Sequence, residues 1–220
     1  MFFHYHPFKP FLHEDTKAII VGTLPPPRFC TKDYKKEDVL FCYGSKDNLL
    51  WKAFEEIFEE NFLYDNSDNA VQMRKDFLLK KKIGICDIVE SCKREKIDAS
   101  DLGMQNINLR DILGFIKKYK KINTIIFTGS LSKNSPEYFF RKVLKEKNIL
   151  LKQINEQTPK KHQFIYDNRI FQTFSLTSPS NAANRYIGST KIFKEKKKIN
   201  PNYTTFDFRL EQYKKVFKSI

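Results

Sequence analysis

Short runs of β-branched residues alternate with segments of helical periodicity along most of this 220-residue chain. Runs 17–22, 83–88 and 122–128 are almost continuously apolar, which is typical of strands buried on both faces of a parallel sheet. Segments 48–61 and 69–80 repeat apolar residues at the spacing of one helix face. Strands that alternate with helices indicate an α/β architecture with parallel strands.

The second half of the chain predicts a hairpin and further helices. Asp167-Asn168 lies between two strand-like runs, and such a pair favours a tight turn. The predicted strands of this hairpin are 162–166 and 169–176. The remaining predicted elements are helices over 107–119 and 208–217 and a helix that opens at Asn134-Ser135-Pro136-Glu137, where proline is tolerated in the first turn.

No repeat or break in composition divides the chain, so one domain over 1–220 is expected. Residues 1–16 are interpreted as an N-terminal arm. Residues 191–207 are predicted to be a basic, poorly structured linker before the C-terminal helix.

The charge balance favours a polyanionic partner. Lys and Arg number 40 against 26 Asp and Glu, giving a net charge of +14. Cations that neutralise phosphates release condensed counterions, so this excess is compatible with nucleic acid. An AT-biased coding sequence is the alternative source of so many lysines. No run of about 18 apolar residues predicts a membrane span, and no signal peptide is recognised, so a cytoplasmic, nucleoid-associated location is expected.

Cysteines and histidines offer little metal chemistry. The four cysteines, at 30, 42, 86 and 92, do not have the spacing of an iron–sulfur cluster, and reduced, buried thiols are expected. His4, His6 and His13 lie near the N-terminus, and a His-x-His pair can bind a metal. Without a pattern of carboxylates around them, a packing role is favoured.

Three loops follow the carboxyl ends of predicted strands. They cover residues 22–43, 128–134 and 177–185, and a short loop follows Asp87. Open parallel sheets bind ligands outside these strand ends. We therefore expect the loops to meet at one pocket.

The sequences of these loops resemble motifs of the uracil-DNA glycosylase superfamily. Val21-Gly22-Thr23-Leu24-Pro25-Pro26, followed by Tyr43-Gly44 through Trp51, is similar to the first motif and the aromatic–His-Pro-x-Asn motif of these enzymes. Segment 84–95 resembles the Gly-Ile through Ser-Cys-x-Arg-Glu segment of the hypoxanthine-DNA glycosylase branch. Leu176-Thr177-Ser178-Pro179-Ser180-Asn181 resembles the second motif. The resemblance covers about residues 17–217.

The resemblance implies a three-layer αβα sandwich around a small, mostly parallel sheet. It also implies a monofunctional DNA glycosylase that flips a deaminated base, uracil or hypoxanthine, out of single- or double-stranded DNA in base excision repair. Hydrolysis of the N-glycosidic bond would need no metal or cofactor, and a monomer is expected.

Candidate catalytic residues are Asn48 and Asp87. In the hypoxanthine branch, the amide at the position of Asn48 orients the water, whereas Leu24 occupies the position that other branches give to asparagine. A helix cap is the alternative role of Asn48. Asp87 ends a strand and is a candidate general base or support of the water, with a helix cap as its alternative.

The resemblance also implies the contacts to DNA. Tyr43 would stack on the base, with a core or rim aromatic as the alternative. The residues expected to contact the base are Gly22, Thr23, Leu24, Tyr43 and Thr128. The residues expected to contact the DNA strand are Thr177, Ser178, Pro179, Ser180, Asn181 and Arg185, where an ordinary turn is the alternative.

Departures from the family pattern leave other functions open. Ser45-Lys46 replaces His-Pro, Leu50 replaces Phe, and Thr128 replaces an asparagine that reads the base edge. The alternative function is a non-catalytic DNA- or RNA-binding protein on the same fold. A weaker alternative is an enzyme that acts on free nucleosides or RNA.

Overall fold

The computed structural model describes residues 1–98, 100–130 and 132–220. Positions 99 and 131 lie outside this description, the latter within the predicted loop 128–134. The strands of the described residues are β1 (Phe2–Tyr5), β2 (Ala18–Gly22), β3 (Ile83–Asp87), β4 (Val89–Arg94), β5 (Gln105–Leu109), β6 (Thr124–Phe127), β7 (Lys152–Asn155), β8 (Lys160–Tyr166) and β9 (Arg169–Ser175). The α-helices are α1 (Arg28–Thr31), α2 (Leu50–Phe58), α3 (Asp68–Lys81), α4 (Ile112–Lys118), α5 (Pro136–Glu146), α6 (Asn184–Ser189), α7 (Lys191–Ile199) and α8 (Thr205–Phe217).

Six strands form the central sheet in the order β3-β2-β6-β9-β8-β7. The first four are parallel, whereas β8 and β7 join as antiparallel strands at one edge. The chain moves from β2 to β3 on one side and later returns to β6 on the other. The order of the strands therefore reverses between β2 and β6, which creates a crevice at their carboxyl ends.

Helices cover both faces of this sheet. On β2, Ala18 and Ile20 pack in the core under α2, α3 and α8, whereas Ile19 and Val21 pack in the core under α4 and α5. Successive side chains of a strand point to opposite faces, so the apolar run of β2 serves both cores. The predicted αβα sandwich with a mostly parallel sheet is confirmed.

A second, three-stranded antiparallel sheet has the order β1-β4-β5. Strand β4 follows β3 almost directly, and β1 pairs with β4 from Phe2 opposite Arg94 to Tyr5 opposite Ser91. The N-terminal arm is thus joined to the chain that leaves the central sheet after Asp87. Within the described residues, no helix is long and apolar enough to cross a bilayer.

Two sequence predictions of local structure are wrong. The first part of the predicted helix 107–119 is strand β5, where Ile107 and Leu109 alternate as a strand requires, and only α4 is helical. The predicted linker 191–207 instead begins with helix α7. The hydroxyl oxygen of Thr190 caps this helix by accepting a hydrogen bond from the backbone N–H of Phe193. The predicted hairpin is confirmed, and Asp167 and Asn168 both have positive φ, as a tight hairpin turn requires.

Candidate active site

A cavity of about 960 Å³ opens at the carboxyl ends of the parallel strands. It lies where the strand order reverses between β2 and β6. Its lining includes most of the predicted site residues: Gly22, Thr23, Leu24, Tyr43, Asn48, Asp87, Thr128, Thr177, Ser178, Pro179 and Ser180. The loops predicted to meet therefore line one cavity.

Tyr43 lies buried against the end of β2. Its hydroxyl is 2.8 Å from Oγ1 of Thr128, and its backbone has a positive φ of 56°. A Cβ on Gly22 would lie 2.3 Å from Oη of Tyr43 and 2.2 Å from Oδ1 of Asp87, so only glycine permits this close approach. Burial raises the pKa of Tyr43 well above its usual value, and the phenol stays neutral.

Asn48 is fixed beside the loop that carries the Thr-Ser-Pro motif. Its Oδ1 accepts a hydrogen bond of 2.9 Å from the backbone N–H of Leu50, at the start of α2. It pairs with Ser180 as an isolated β-bridge, and the N–H of Leu49 donates to the carbonyl of Pro179. Leu49 rather than Asn48 is the N-cap residue of α2, so this bond is not the helix cap that was given as the alternative, and Asn48 lines the cavity.

A partly buried ion pair supports the segment between Tyr43 and Asn48. Arg28 donates two hydrogen bonds of 2.7 Å to Asp38 and one of 2.8 Å to Ser45. The backbone N–H of Lys46 also donates to Asp38. Although burial opposes ionisation, these donors lower the pKa of Asp38 below its usual value. The carboxylate of Asp38 therefore holds the segment between Tyr43 and Asn48 in place.

Helix α8 binds the Thr-Ser-Pro loop from its inner side. Arg209 is 1 % exposed and donates to the carbonyls of Ser178 and Ser180, each at 2.8 Å. One turn further, Tyr213 donates to the carbonyl of Thr177, and Oε1 of Gln212 accepts from the N–H and hydroxyl of the same residue. The main-chain carbonyls of this loop are therefore bonded inward.

Asp87 meets a residue of the N-terminal arm. Its Oδ2 is 2.8 Å from Nε2 of His6, and both side chains are buried. Asp87 also lies beside Gly22 in the register of β3 with β2. The site thus combines an amide, a carboxylate and a phenol around one cavity.

Comparisons with known proteins agree with this geometry. No protein-family model matches the chain. It is 27 % identical over 122 residues to a hypoxanthine DNA glycosylase of Methanosarcina acetivorans, covering 56 % of this chain and 69 % of the relative. It is 29 % identical over 131 residues to a hypoxanthine DNA glycosylase of Methanosarcina barkeri, covering 60 % and 73 %.

A solution NMR structure described as a candidate uracil DNA glycosylase from Methanosarcina acetivorans has the same fold. Its TM-score is 0.59 at 19 % identity, and the match covers 99 % of this chain and 98 % of that chain. The chain is thus similar to these DNA glycosylases in sequence and to this structure in fold. The names of its relatives confirm the resemblance to the hypoxanthine branch that the motifs predicted.

Two residues that are predicted to contact DNA lie outside the cavity lining. Asn181 belongs to a short 3₁₀ turn and Arg185 to α6, and both are exposed. They follow the Thr-Ser-Pro loop in the sequence. Their contact with DNA stays a prediction.

An acidic residue that the sequence motifs did not indicate also lines the cavity. Asp101 accepts a hydrogen bond of 3.3 Å from the hydroxyl of Thr23, and its carbonyl accepts one from the amide of Asn134. Burial raises the pKa of Asp101 to about 6. A carboxyl that titrates near neutral pH is typical of functional sites.

The supporting residues were missed because they lie far from the motifs in sequence. His6, Arg209 and Asp101 contact their partners across 81, 31 and 78 residues. A single polar residue forms no repeating sequence pattern from which such a contact could be predicted. The one sequence signal for these residues is the helical spacing of Arg209, Gln212 and Tyr213. Positions i, i+3 and i+4 share one helix face, so these three side chains could be expected to meet one partner.

Proposed function

We propose that this chain is a monofunctional DNA glycosylase that flips uracil or hypoxanthine out of DNA and hydrolyses its N-glycosidic bond. The observation that carries the proposal is the pairing of Asn48 with Ser180 at the cavity. It joins the expected water-orienting amide to the loop expected to contact the DNA strand. The formal net charge of +14 supports a polyanionic substrate.

The hydrolysis assigns a role to each polar group. The bond between C1′ and the base nitrogen breaks, and its electron pair leaves with the base. Water bonds to C1′, and one water proton ends on the departing base by way of solvent or a side chain. The sugar develops oxocarbenium character, which the negative charge of Asp87 stabilises when no water lies between them.

Asn48 suits the orientation of this water. A carbonyl oxygen has two lone pairs, and Leu50 uses one of those on Oδ1. Because Oδ1 faces the N–H of Leu50, the amide nitrogen of Asn48 points the other way, and no described residue accepts a hydrogen bond from it. The side chain therefore offers both a donor and an acceptor without carrying charge.

Tyr43, Thr128 and the first loop form the base-binding part of the proposal. Because Tyr43 and Thr128 hydrogen bond each other, Thr128 keeps less capacity to read a base edge than an asparagine would. Leu24 adds apolar surface without a hydrogen bond. The site therefore selects its base less by polar contacts than relatives with an asparagine, and both bases stay in the proposal.

A rival function is a non-catalytic DNA- or RNA-binding protein on the same fold. The observation that favours it is the loss of two family polar groups at Leu24 and Thr128. Such a protein would bind nucleic acid with strong salt dependence and leave every lesion intact.

The deciding experiment is a lesion panel. Single- and double-stranded oligonucleotides with uracil, hypoxanthine or xanthine are incubated with the protein and then cleaved by alkali at abasic sites. We expect turnover of at least one lesion, and we expect Asn48→Ala to slow it roughly 100-fold or more while DNA binding is retained. No strand cleavage from any lesion would favour the rival.

Asn123→Ala is the matched control. Asn123 is exposed and precedes β6, at the amino end of the sheet, opposite the cavity. We expect this variant to keep the wild-type rate. Equal rates for Asn48→Ala and Asn123→Ala would remove Asn48 from the mechanism while leaving the glycosylase activity itself intact.

A further inference from the structure

Strand β1 and the residue after it bury two histidines, His4 and His6, although β1 lies at the edge of its sheet. Phe3 and Tyr5 are 55 % and 40 % exposed, whereas His4 and His6 are 0 % and 8 % exposed. Alternation along the strand places both imidazoles on the inner face. Burial of a polar ring costs free energy unless its nitrogens find partners, so the partners indicate what the strand supports.

Hydrogen bonds fix the protonation of His6. The backbone N–H of Phe8 lies 3.1 Å from Nδ1, and because this N–H can only donate, Nδ1 accepts and carries no proton. The proton therefore lies on Nε2, which donates to Oδ2 of Asp87 at 2.8 Å. The backbone N–H of His6 donates to the carbonyl of Glu90, which attaches the ring to β4. His6 is thus a neutral donor in one orientation.

The other oxygen of Asp87 lies against Gly22, a residue that lines the cavity. Oδ1 is the atom that a Cβ on Gly22 would meet at 2.2 Å, and no described residue hydrogen bonds to it. Asp87 lines the cavity, with 7 % of its side chain exposed. Tyr43 lies against the same glycine. Rotation of the carboxylate would therefore change the contact of Oδ1 with Gly22.

We infer that His6 is a positioning residue whose Nε2–H holds Oδ2 of Asp87, so that Oδ1 faces the reacting sugar and water as an acceptor. The inference rests on the proposed glycosylase function. A neutral donor suits this role better than a cation, because an arginine or lysine would neutralise the negative charge that stabilises an oxocarbenium. The N-terminal arm is then part of the active site.

The test compares two substitutions of His6 in the full-length protein. His6→Leu removes the donor, whereas His6→Gln places an N–H close to the position of Nε2. Single-turnover rates are measured on the best lesion of the panel, together with DNA affinity and Tm. We expect His6→Leu to lower the rate roughly 10- to 100-fold with unchanged DNA affinity, as loss of an orienting hydrogen bond does elsewhere. We expect His6→Gln to recover most of that loss.

Coupling to Asp87 separates positioning from a general loss of stability. If His6 acts through Asp87, His6→Leu should add little to the loss caused by Asp87→Asn. His162→Gln is the matched control, because His162 is also buried but bonds Arg141 and does not line the cavity. We expect that control to keep the wild-type rate.

The outcomes are distinct. An active wild type with an unchanged rate in His6→Leu would overturn the positioning role alone. Additive losses in the double variant, or a His6→Gln variant as slow as His6→Leu, would also overturn it and assign His6 to packing. A wild type inactive on every lesion would overturn the proposed function and this inference together.

Discussion

Two walls of the cavity are held in different ways. The Thr-Ser-Pro wall (residues 177–180) has its carbonyls bonded by Arg209, Tyr213 and the backbone of Leu49. The acidic wall (Thr23 and Asp101) is held by a side-chain hydrogen bond of 3.3 Å and by the amide of Asn134. The first wall accepts hydrogen bonds at its main-chain carbonyls, whereas the acidic wall combines one bond to the carbonyl of Asp101 with one bond between its own two side chains.

The difference matches what each wall is expected to do. A loop that contacts the DNA strand must present its backbone in one position, and the bonds from α8 pre-organise it before DNA arrives. The acidic wall instead carries a carboxyl whose pKa is raised to about 6 by burial. Functional sites often keep such unfavourable groups at a cost in stability.

Behind the acidic wall, Arg94 connects β1 to the loop that carries Asp101. Nε of Arg94 donates to Nδ1 of His4 at 2.9 Å, and Nη1 donates to the carbonyl of Ser100. His4 and Arg94 are both buried. The N-terminal arm thus supports the acidic wall through His4, as it meets Asp87 through His6.

The largest expected effect is on the Thr-Ser-Pro wall. Arg209→Leu leaves the carbonyls of Ser178 and Ser180 without their buried donor, and we expect the free energy of unfolding to fall by about 3 kcal/mol. Urea denaturation measures this loss. Arg209→Lys keeps the charge and one donor group, so it should lose less. A loss below about 1 kcal/mol for Arg209→Leu would mean that the wall does not depend on Arg209.

A smaller effect is expected from His4. Burial and the nearby charge of Arg94 lower the pKa of His4 from 6.5 to about 4. Since the folded state binds this proton less well than the unfolded chain, the stability is present above pH 6.5 and is lost as the pH falls toward 4. Between pH 7 and pH 5 the loss is about 2 kcal/mol.

The variant His4→Gln tests this assignment, because it keeps an acceptor for Arg94 but cannot titrate. Urea denaturation at pH 7 and pH 5 should show a stability difference about 2 kcal/mol smaller in the variant than in the wild type. Parallel losses in the two proteins would place the acid sensitivity elsewhere, for example in carboxylates such as Asp38.

Asp101 should change the pH dependence of stability in the direction opposite to His4. Its folded pKa lies above the unfolded value of 3.8, so its favourable contribution is present below pH 3.8 and is lost as the pH rises through 6. Asp101→Asn removes that penalty. Because the side chain is partly exposed, we expect a gain of about 1 kcal/mol at pH 8 and little gain at pH 4. Destabilisation at pH 8 would show that the ionised carboxyl supports its wall.

The central sheet could be predicted from the sequence, whereas the small sheet could not. Strands β2, β3 and β6 are continuous apolar runs because helices cover both of their faces. Strand β5 has only Ile107 and Leu109 in partial contact with the core, so a helical pattern with the following residues was misleading. Helix α7 buries only Phe193, so its many lysines made the segment resemble an unstructured basic linker.

The residues of the candidate site also divide into those that could be predicted from the sequence and those that could not. Residues on loops after strands could be placed, because the carboxyl ends of parallel strands meet at one edge. The predicted roles of Asn48, Asp87 and Tyr43 stay predictions. The groups that orient them, such as His6, could not be placed, since a hydrogen bond between two distant polar residues depends on the finished fold.

The smallest effect on stability is expected from Arg185, which lies beyond the rigid wall on exposed α6. Arg185→Ala should change the free energy of unfolding by no more than about 0.5 kcal/mol, as exposed substitutions usually do. If this side chain contacts a phosphate, the slope of log affinity against log salt should fall by about one. Affinity for an abasic oligonucleotide, measured over a salt series, checks this. An unchanged slope would limit the DNA contact to the Thr-Ser-Pro wall itself, where backbone N–H and hydroxyl groups rather than the Arg185 cation would bind the strand.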